Sequence, residues 1–345
     1  MRGKPIPKRS PYHVLEVSPQ ARTEVIRGAY VALMKLYHPQ GAEPDEEYAK
    51  EILAAYEVLK DPDRRRVFDA DRIKLLGKTL QEYQIKDKIA EGATGYTYKG
   101  VHLLTGMPVC IKHFLISPGL RKIALEEAAA MWDLSHCGIP SLRNIFILED
   151  DSIALVMSYV PGETLEQWIQ KKGGLNPEDV AWITDRILNV LMYLHFENGV
   201  IHGDLKPQNI IVLEEKHRVS LVDFGLALIR PKGGDLSKGY TRYFASPEEE
   251  EGKTILPESD FYSLGMVMIY ALGGSIEYVK KKEVPSNTPD ALCALIKRFI
   301  RRDVLSRPRW PESPGDENLC ETIEKIRLEV FGRVRSGMKP ISGVR

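Results

Sequence analysis

Long apolar runs are missing from this chain. The longest, YSLGMVMIYALGG at 262–274, falls short of the roughly 20 residues that a bilayer span needs and reads as a buried helix. Cysteine is scarce. Cys110, Cys137, Cys293 and Cys320 lie far apart without CxxC or CxxH spacing, which argues against zinc or a disulfide framework and for a reducing, cytoplasmic setting. Excess charge of either sign is absent as well. With 48 basic and 48 acidic residues, no net field favours nucleic acid or an anionic membrane. The N-terminal MRGKPIPKRS is basic but no apolar stretch follows it, so it does not read as a signal peptide. What remains is ordinary for a soluble globular chain: 43% hydrophobic and 28% charged over 345 residues, enough for two or three domains.

The stretch that organises the rest is VIHGDLKPQNIIV, residues 200–212. Two short β-branched and aliphatic runs flank a polar loop, the pattern of buried strands presenting charged groups at a turn. Asp204 can take a proton from a hydroxyl, Lys206 can neutralise phosphate charge, and Asn209 can offer a neutral oxygen to Mg²⁺. Asp and Asn are also common turn formers, so the octamer alone does not decide. A second apolar run ends in Asp223-Phe224-Gly225, nineteen residues after Asp204, and its carboxylate could chelate the metal that bridges nucleotide phosphates. Together, His202-Gly203-Asp204-Leu205-Lys206-Pro207-Gln208-Asn209 and Asp223-Phe224-Gly225 resemble the catalytic loop and metal-binding turn of protein kinases. The resemblance implies that Asp204 and Lys206 are catalytic, that Asn209 and Asp223 hold Mg²⁺ or Mn²⁺, and that His202, Phe224 and Gly225 are structural. Lys206 at its position favours Ser/Thr over Tyr substrates. Gly203 stands where the family usually has Arg, so activity is not expected to require loop phosphorylation.

Residues 11–72 follow a separate logic. ARTEVIRGAYVALMKLYHP carries Val25, Tyr30, Leu33, Met34 and Tyr37 at helical spacing, and EEYAKEILAAYEVLKD carries Tyr48, Ile52, Leu53, Tyr56 and Leu59. Two such helices joined by a polar loop make an αα-hairpin. With PYHVLEVSPQA before them and DPDRRRVFD after, the segment resembles a J-domain, the module that docks on DnaK-type chaperones. That family's loop reads His-Pro-Asp. Here it is His38-Pro39-Gln40, and the change removes the charge needed to ion-pair with a chaperone.

After an expected helical connector at 73–84, the pattern shifts to short strands. IAEGATGYTYKG (89–100) resembles the kinase loop over ATP phosphates: Gly92 and Gly95 match two of its glycines, and Ala90 takes the place of the first. Lys112 lies in a β-like run, where a cation needs a partner. The resemblance pairs it with ATP phosphates and a helix carboxylate. RKIALEEAAAMWDLSH (121–136) reads as that helix, and Glu127 is the carboxylate selected. In IALVMSYVPGETLEQWI (153–169), Met157 falls at the gatekeeper position. Ser158 to Val160 would meet adenine through their backbone.

Beyond the second lobe's leading helix, PEDVAWITDRILNVLMYLHFEN (177–198), the loop LALIRPKGGDLSKGYTRYFASPEE reads as mobile. Its end resembles the family's substrate-loop phrase. Thr241 aligns with the Thr beside the substrate hydroxyl, Tyr240 replaces a Gly, and Ser246-Pro247-Glu248 stands for Ala-Pro-Glu. Arg307 matches the partner of Glu248, and Asp260 the residue that braces the catalytic loop.

The chain is therefore expected to be multidomain: an all-α J-domain-like helical hairpin, then an α+β two-lobed protein kinase fold. The expected segments are a basic tail (1–10), the J-like module (11–72), the connector (73–84), an N-lobe (85–160), a C-lobe (161–333) and a flexible tail (334–345). ATP, a Ser/Thr-bearing protein and, through the J-like module, a DnaK-type chaperone are the partners this implies. A pseudokinase scaffold, which Ala90, Thr97, Gly203, Gln40 and Tyr240 would suit, stays open. So do an aminoglycoside-type phosphotransferase, whose loop also reads His-Gly-Asp, and a co-chaperone role.

Overall fold

Helix α1 (Pro11–Val14) is followed by the antiparallel pair α2 (Thr23–Tyr37) and α3 (Glu46–Leu59). The computed structural model describes residues 11–18, 21–65, 68, 75, 77–92, 94–115, 118–148, 150–231, 235–311, 313 and 316–332; the tails expected at 1–10 and 334–345 lie outside them. Tyr12, Leu15, Ile26, Leu33, Ile52 and Leu59 form the core of the helical module. Tyr30 stacks on Tyr56 with ring centroids 4.0 Å apart, an aromatic contact between the two helices. Val25 and Leu53, expected on the apolar faces, are 54% and 39% exposed. Each sits one residue away from the buried Ile26 or Ile52, and a single residue turns a side chain about 100° around a helix.

Only part of the expected connector is described, and that part is not helical. Gly77 (φ 77°) and Gln81 (φ 48°) are left-handed, a conformation that interrupts a helix. Strand β1 (Thr79–Leu80) instead pairs antiparallel with β2 (Tyr83–Gly92), and Leu75 packs into the core of that sheet. Residues 73, 74 and 76 are outside the described set. Strands β3 (Gly95–His102), β4 (Pro108–Phe114), β5 (Leu142–Ile147) and β6 (Ile153–Ser158) complete a six-stranded sheet, ordered β1-β2-β3-β4-β6-β5. Helix α4 spans Pro118–Met131. It stops five residues before the expected end at 136, where Leu134 N–H turns back to Met131 O and Gly138 N–H caps His136 Nδ1.

Backbone contacts divide the chain into two units: 1–124 with 143–156, and 157–345 with 125–142. The second unit is mostly helical. It contains a short strand β7 (Glu163–Thr164), α5 (Leu165–Lys172) with a Thr164/Gln167 capping box, and α6 (Pro177–Met192), which widens into a π-helical turn at Tyr193–Glu197. Strand β8 (Val200–Ile201) and the hairpin of β9 (Ile210–Leu213) with β10 (Arg218–Leu221) follow. Strand β11 (Leu228–Ile229) pairs with β8, and β7 with β9. After the short α7 (Pro247–Glu250) comes α8 (Pro257–Gly273), the apolar run noted in the sequence. Every residue from Ser259 to Leu272 on it is buried, as expected of a helix that is hydrophobic all round. Helices α9 (Ile276–Lys281), α10 (Asp290–Phe299) and α11 (Leu319–Phe331) follow it in sequence. Among the described residues no helix is long and apolar enough to cross a membrane.

Glu248 and Arg307 pin the substrate-loop end of this unit. The two form a bidentate pair, Nη1 to Oε1 at 2.6 Å and Nη2 to Oε2 at 2.8 Å. Ser259 Oγ donates to the same carboxylate at 2.7 Å, and the guanidinium's other hydrogens go to the carbonyls of Glu258, Arg301 and Arg302. Burial pushes the Glu248 carboxyl up, but the Arg307 and Ser259 hydrogen bonds outweigh it and hold it below its ordinary value. Leaving one member of such a buried pair alone typically costs about 3–5 kcal/mol.

Candidate active site

Three polar side chains of the second unit meet around one carboxylate. Asp204 Oδ1 accepts from the Thr241 hydroxyl at 2.6 Å. Its Oδ2 accepts from Lys206 Nζ at 2.6 Å and from Asn209 Nδ2 at 3.0 Å. Lys206 also donates to Thr241 Oγ1 at 3.0 Å, so base, cation and hydroxyl form a closed triangle. The second hydrogen of the Asn209 amide goes to Asp204 O at 2.9 Å. Both amide hydrogens are thus spent on Asp204, which leaves the amide oxygen as the atom able to face a cation.

The loop that carries Asp204 is suspended from α8. Asp260, 1% exposed, accepts the backbone N–H of His202 on Oδ2 at 2.8 Å and that of Gly203 on Oδ1 at 2.9 Å. His195 Nε2, on the π-helical turn, lies 2.8 Å from the same Oδ2. Burial alone would raise the Asp260 carboxyl. The hydrogen bonds from His195 and Gly203 hold it below the ordinary value instead. His202 Nδ1 accepts from Asp204 N–H at 3.3 Å, and its ring packs against Phe224 with centroids 5.0 Å apart.

Asp223 follows β10 with φ 68°, a left-handed conformation that is costly for a residue with a Cβ and gathers at functional turns. Val222 N–H to Asn209 O at 2.9 Å joins its strand end to the loop that carries Asp204, and Gly225 N–H reaches Asp223 Oδ1 at 3.4 Å. Two oxygen donors, one neutral and one charged, suit a hard cation such as Mg²⁺.

Gly203 is itself left-handed, with φ 71°, and a Cβ there would lie 3.0 Å from Leu226 O. The loop's backbone therefore has no comfortable place for an Arg. A cation is found elsewhere: Lys238, in the segment after Asp223, pairs with Glu126 of α4 at 2.9 Å and donates to Ala227 O at 2.7 Å. Glu127, the carboxylate chosen from the sequence, is 1% exposed on the same helix. Among its described residues, the loop read as mobile is held at Lys238, at β11 and at a bridge from Leu236 to Thr254. Ser158 N–H donates to Ser141 O at 2.9 Å, so of its backbone groups only the carbonyl remains for an adenine.

The glycine hairpin and Lys112 belong to the first unit. Ala90 pairs with Thr97, Gly92 with Gly95, and Thr97 with Lys112 across three adjacent strands. Gly95 has φ 151°, and a Cβ would sit 1.9 Å from His113 O, so no other residue fits there. In the helical module, His38 Nδ1 accepts Gln40 N–H at 3.3 Å at the tip of the hairpin loop, and Pro39 lies between them.

Sequence reasoning brought Asp204, Lys206, Asn209 and Thr241 to one place, and Glu248 to Arg307. It missed His195, Trp310, Lys238 with Glu126, and Glu249. The neighbouring acid Glu126 was visible on α4, but its partner lies 112 residues away, and nothing local signals the pairing.

A protein kinase domain model matches residues 83–325. The chain belongs to the protein kinase family, and a DnaJ domain model matches residues 10–69. Similar proteins include the maternal embryonic leucine zipper kinase of Danio rerio, 30% identical over 67% of this chain and 33% of that protein. The serine/threonine-protein kinase pkn3 of Myxococcus xanthus is 30% identical over 75% of this chain and 53% of its own length. For the serine/threonine-protein kinase PrkC of Bacillus subtilis the figures are 28%, 75% and 39%. The chain thus spans between a third and about half of the length of these relatives.

Glu249 adds a titration of its own. Its carboxyl, 4% exposed, is pushed up from 4.5 to about 7, first by burial and further by the charges of Asp260 and Glu248, against hydrogen bonds from Ser246. The folded state therefore holds this proton more tightly than the unfolded chain. The stabilisation is complete below pH 4.5 and is lost as pH rises through 7, amounting to about 3 kcal/mol. Glu249→Gln, whose amide oxygen can still accept from Ser246, should flatten the pH dependence of urea unfolding between pH 5 and 8. An unchanged slope would refute the assignment.

Proposed function

We propose that this chain is an ATP- and Mg²⁺-dependent kinase that phosphorylates Ser or Thr hydroxyls of proteins, with its DnaJ domain serving to dock a partner. The observation that carries the proposal is the closed cluster of Asp204, Lys206 and Thr241, a base and a cation meeting at one aliphatic hydroxyl. Thr241 donates to Asp204 Oδ1 at 2.6 Å, the same contact that an incoming Ser or Thr hydroxyl requires of a base. Asp204 orients the hydroxyl and accepts its proton. Lys206, already within reach of that oxygen, offsets the charge on the moving phosphoryl group. Asn209 Oδ1 and Asp223 are the oxygen donors for Mg²⁺, which when bound neutralises phosphate charge. Lys112 and Glu127 are assigned to ATP phosphates, the hairpin of Ala90, Gly92 and Gly95 to covering them, and Ser158 and Val160 to adenine. The particular cluster also weighs against a scaffold without chemistry, since each of its members is built and partnered.

Two features support activity without phosphorylation of the activation segment. Gly203 offers no cation to a phosphorylated residue, and Lys238 already ties the segment to Glu126 and Ala227 O. In the DnaJ domain, Gln40 takes the position of the family's acid and cannot form its ion pair. The domain's role is therefore docking rather than stimulation of a DnaK-type ATPase.

The first test is transfer of label from ATP with Mg²⁺ to a panel of generic protein substrates and an aminoglycoside. Label is expected on protein Ser/Thr and reduced about 10²–10⁴-fold in Asp204→Ala. Label on the aminoglycoside alone, or none despite ATP binding, would sink the proposal. Ser237→Ala should keep kcat within about twofold, whereas Lys238→Met should lower it by about tenfold or more; the reverse order would make the segment phosphorylation-dependent. In a DnaK ATPase assay the chain should be inert and Gln40→Asp should gain stimulation. Stimulation by the unaltered chain would overturn the docking-only role.

A further inference from the structure

Trp310 comes three residues after the Arg307 anchor, and its indole Nε1–H donates to His195 Nδ1 at 3.0 Å. An indole nitrogen can only donate. His195 Nδ1 must then present a lone pair, the ring's proton sits on Nε2, and that N–H donates to Asp260 Oδ2 at 2.8 Å. The side chains of His195 and Asp260 are each 1% exposed, so water does not take the place of either partner. An unbroken path runs from Trp310 through His195 and Asp260 to the backbone N–H groups of His202 and Gly203.

We infer that Trp310 is a positioning residue for the catalytic loop: by occupying Nδ1 it keeps His195 neutral, so Asp260 spends its charge on the backbone that carries Asp204. Without the indole donor, Nδ1 is open to a second proton. An imidazolium against a buried carboxylate is favoured, and it draws Oδ2 toward the ring and away from His202 N–H. An indole N–H pointed at Nδ1 blocks that step, because two donors would face each other.

The groups around His195 are few. Asp260 and the Phe261 ring, 5.8 Å away, face it from α8, and the Trp310 ring lies at 6.1 Å. His202 and Glu249 are the other titratable groups beside the Asp260 carboxylate. His202 is held through both nitrogens, with Nδ1 accepting from Asp204 N–H and Nε2 at 3.3 Å from Val222 O. Glu249 titrates in unaltered and altered chains alike, so it cancels when the two are compared at each pH.

The test combines nitrogen NMR of the full chain labelled in histidine, with His195→Gln to assign the signal, and a pH series of kinetics. The unaltered chain should show His195 as the neutral Nε2–H tautomer from pH 6 to 8. In Trp310→Phe the ring should become doubly protonated toward the low end of that window. The kcat of Trp310→Phe should match the unaltered chain near pH 8 and fall several-fold below it near pH 6, with KM for ATP unchanged. A merely structural loss would lower kcat equally at all pH values. The inference fails if the unaltered chain shows an Nδ1–H or doubly protonated His195, if the ring titrates alike in both proteins, or if the two kcat profiles run parallel. It rests on the kinase reading only for its kinetic arm. A chain that transfers no phosphoryl group would sink that reading, while the tautomer measurement would still decide the role of Trp310.

Discussion

The buried carboxylate of Asp260 is the constraint on which the second unit depends. A single negative charge, out of reach of water, must be met by hydrogen-bond donors, and the ones available are two consecutive backbone N–H groups and an imidazole. Burying a charge is unfavourable unless such donors are fixed in place. The requirement therefore runs both ways. The loop at 202–204 is held where Asp260 needs its donors, and the π-helical turn at Tyr193–Glu197 is where the imidazole has to come from. The left-handed backbone at Gly203 belongs to the same solution, since two successive N–H groups converge on one carboxylate only if the chain bends sharply between them.

A second feature is how completely charges are paired. Asp204 is shared among three donors, and Arg307 distributes its hydrogens over one carboxylate and three carbonyls. Networks of this kind specify one arrangement more than they add net stability. Both serve a single segment, the stretch from Thr241 to Glu248, held at one end by Asp204 and at the other by Arg307.

Much of this was legible in the order of residues. His202 to Asn209, Asp223 to Gly225, and Ser246 to Glu248 are local phrases whose chemistry can be read without coordinates, and the J-domain hairpin follows from helical periodicity. Where the reading failed, local preference misled it. IKLLGKTLQEY is rich in helix formers, yet left-handed Gly77 and Gln81 break it and Thr79–Leu80 pairs as a strand. On α2 the reading took Val25 where Ile26 is buried, and on α3 it added the exposed Leu53 beside the correctly placed Ile52. The contacts of Trp310 with His195 and of Lys238 with Glu126 join residues 115 and 112 positions apart, and no spacing rule reaches that far.

The hairpin loop of the DnaJ domain closes on its own helix. Gly41, Ala42, Glu43 and Asp45 donate their backbone N–H groups to the carbonyls of His38, Lys35, Leu36 and Tyr37. A Cβ at Gly41 would lie 2.5 Å from Leu36 O, so the wrap depends on that glycine. The tip at His38, Pro39 and Gln40 is therefore shaped before any partner arrives, and little conformational entropy is left for binding to remove. A change in one of the three displayed side chains can then alter what the tip presents without refolding the loop.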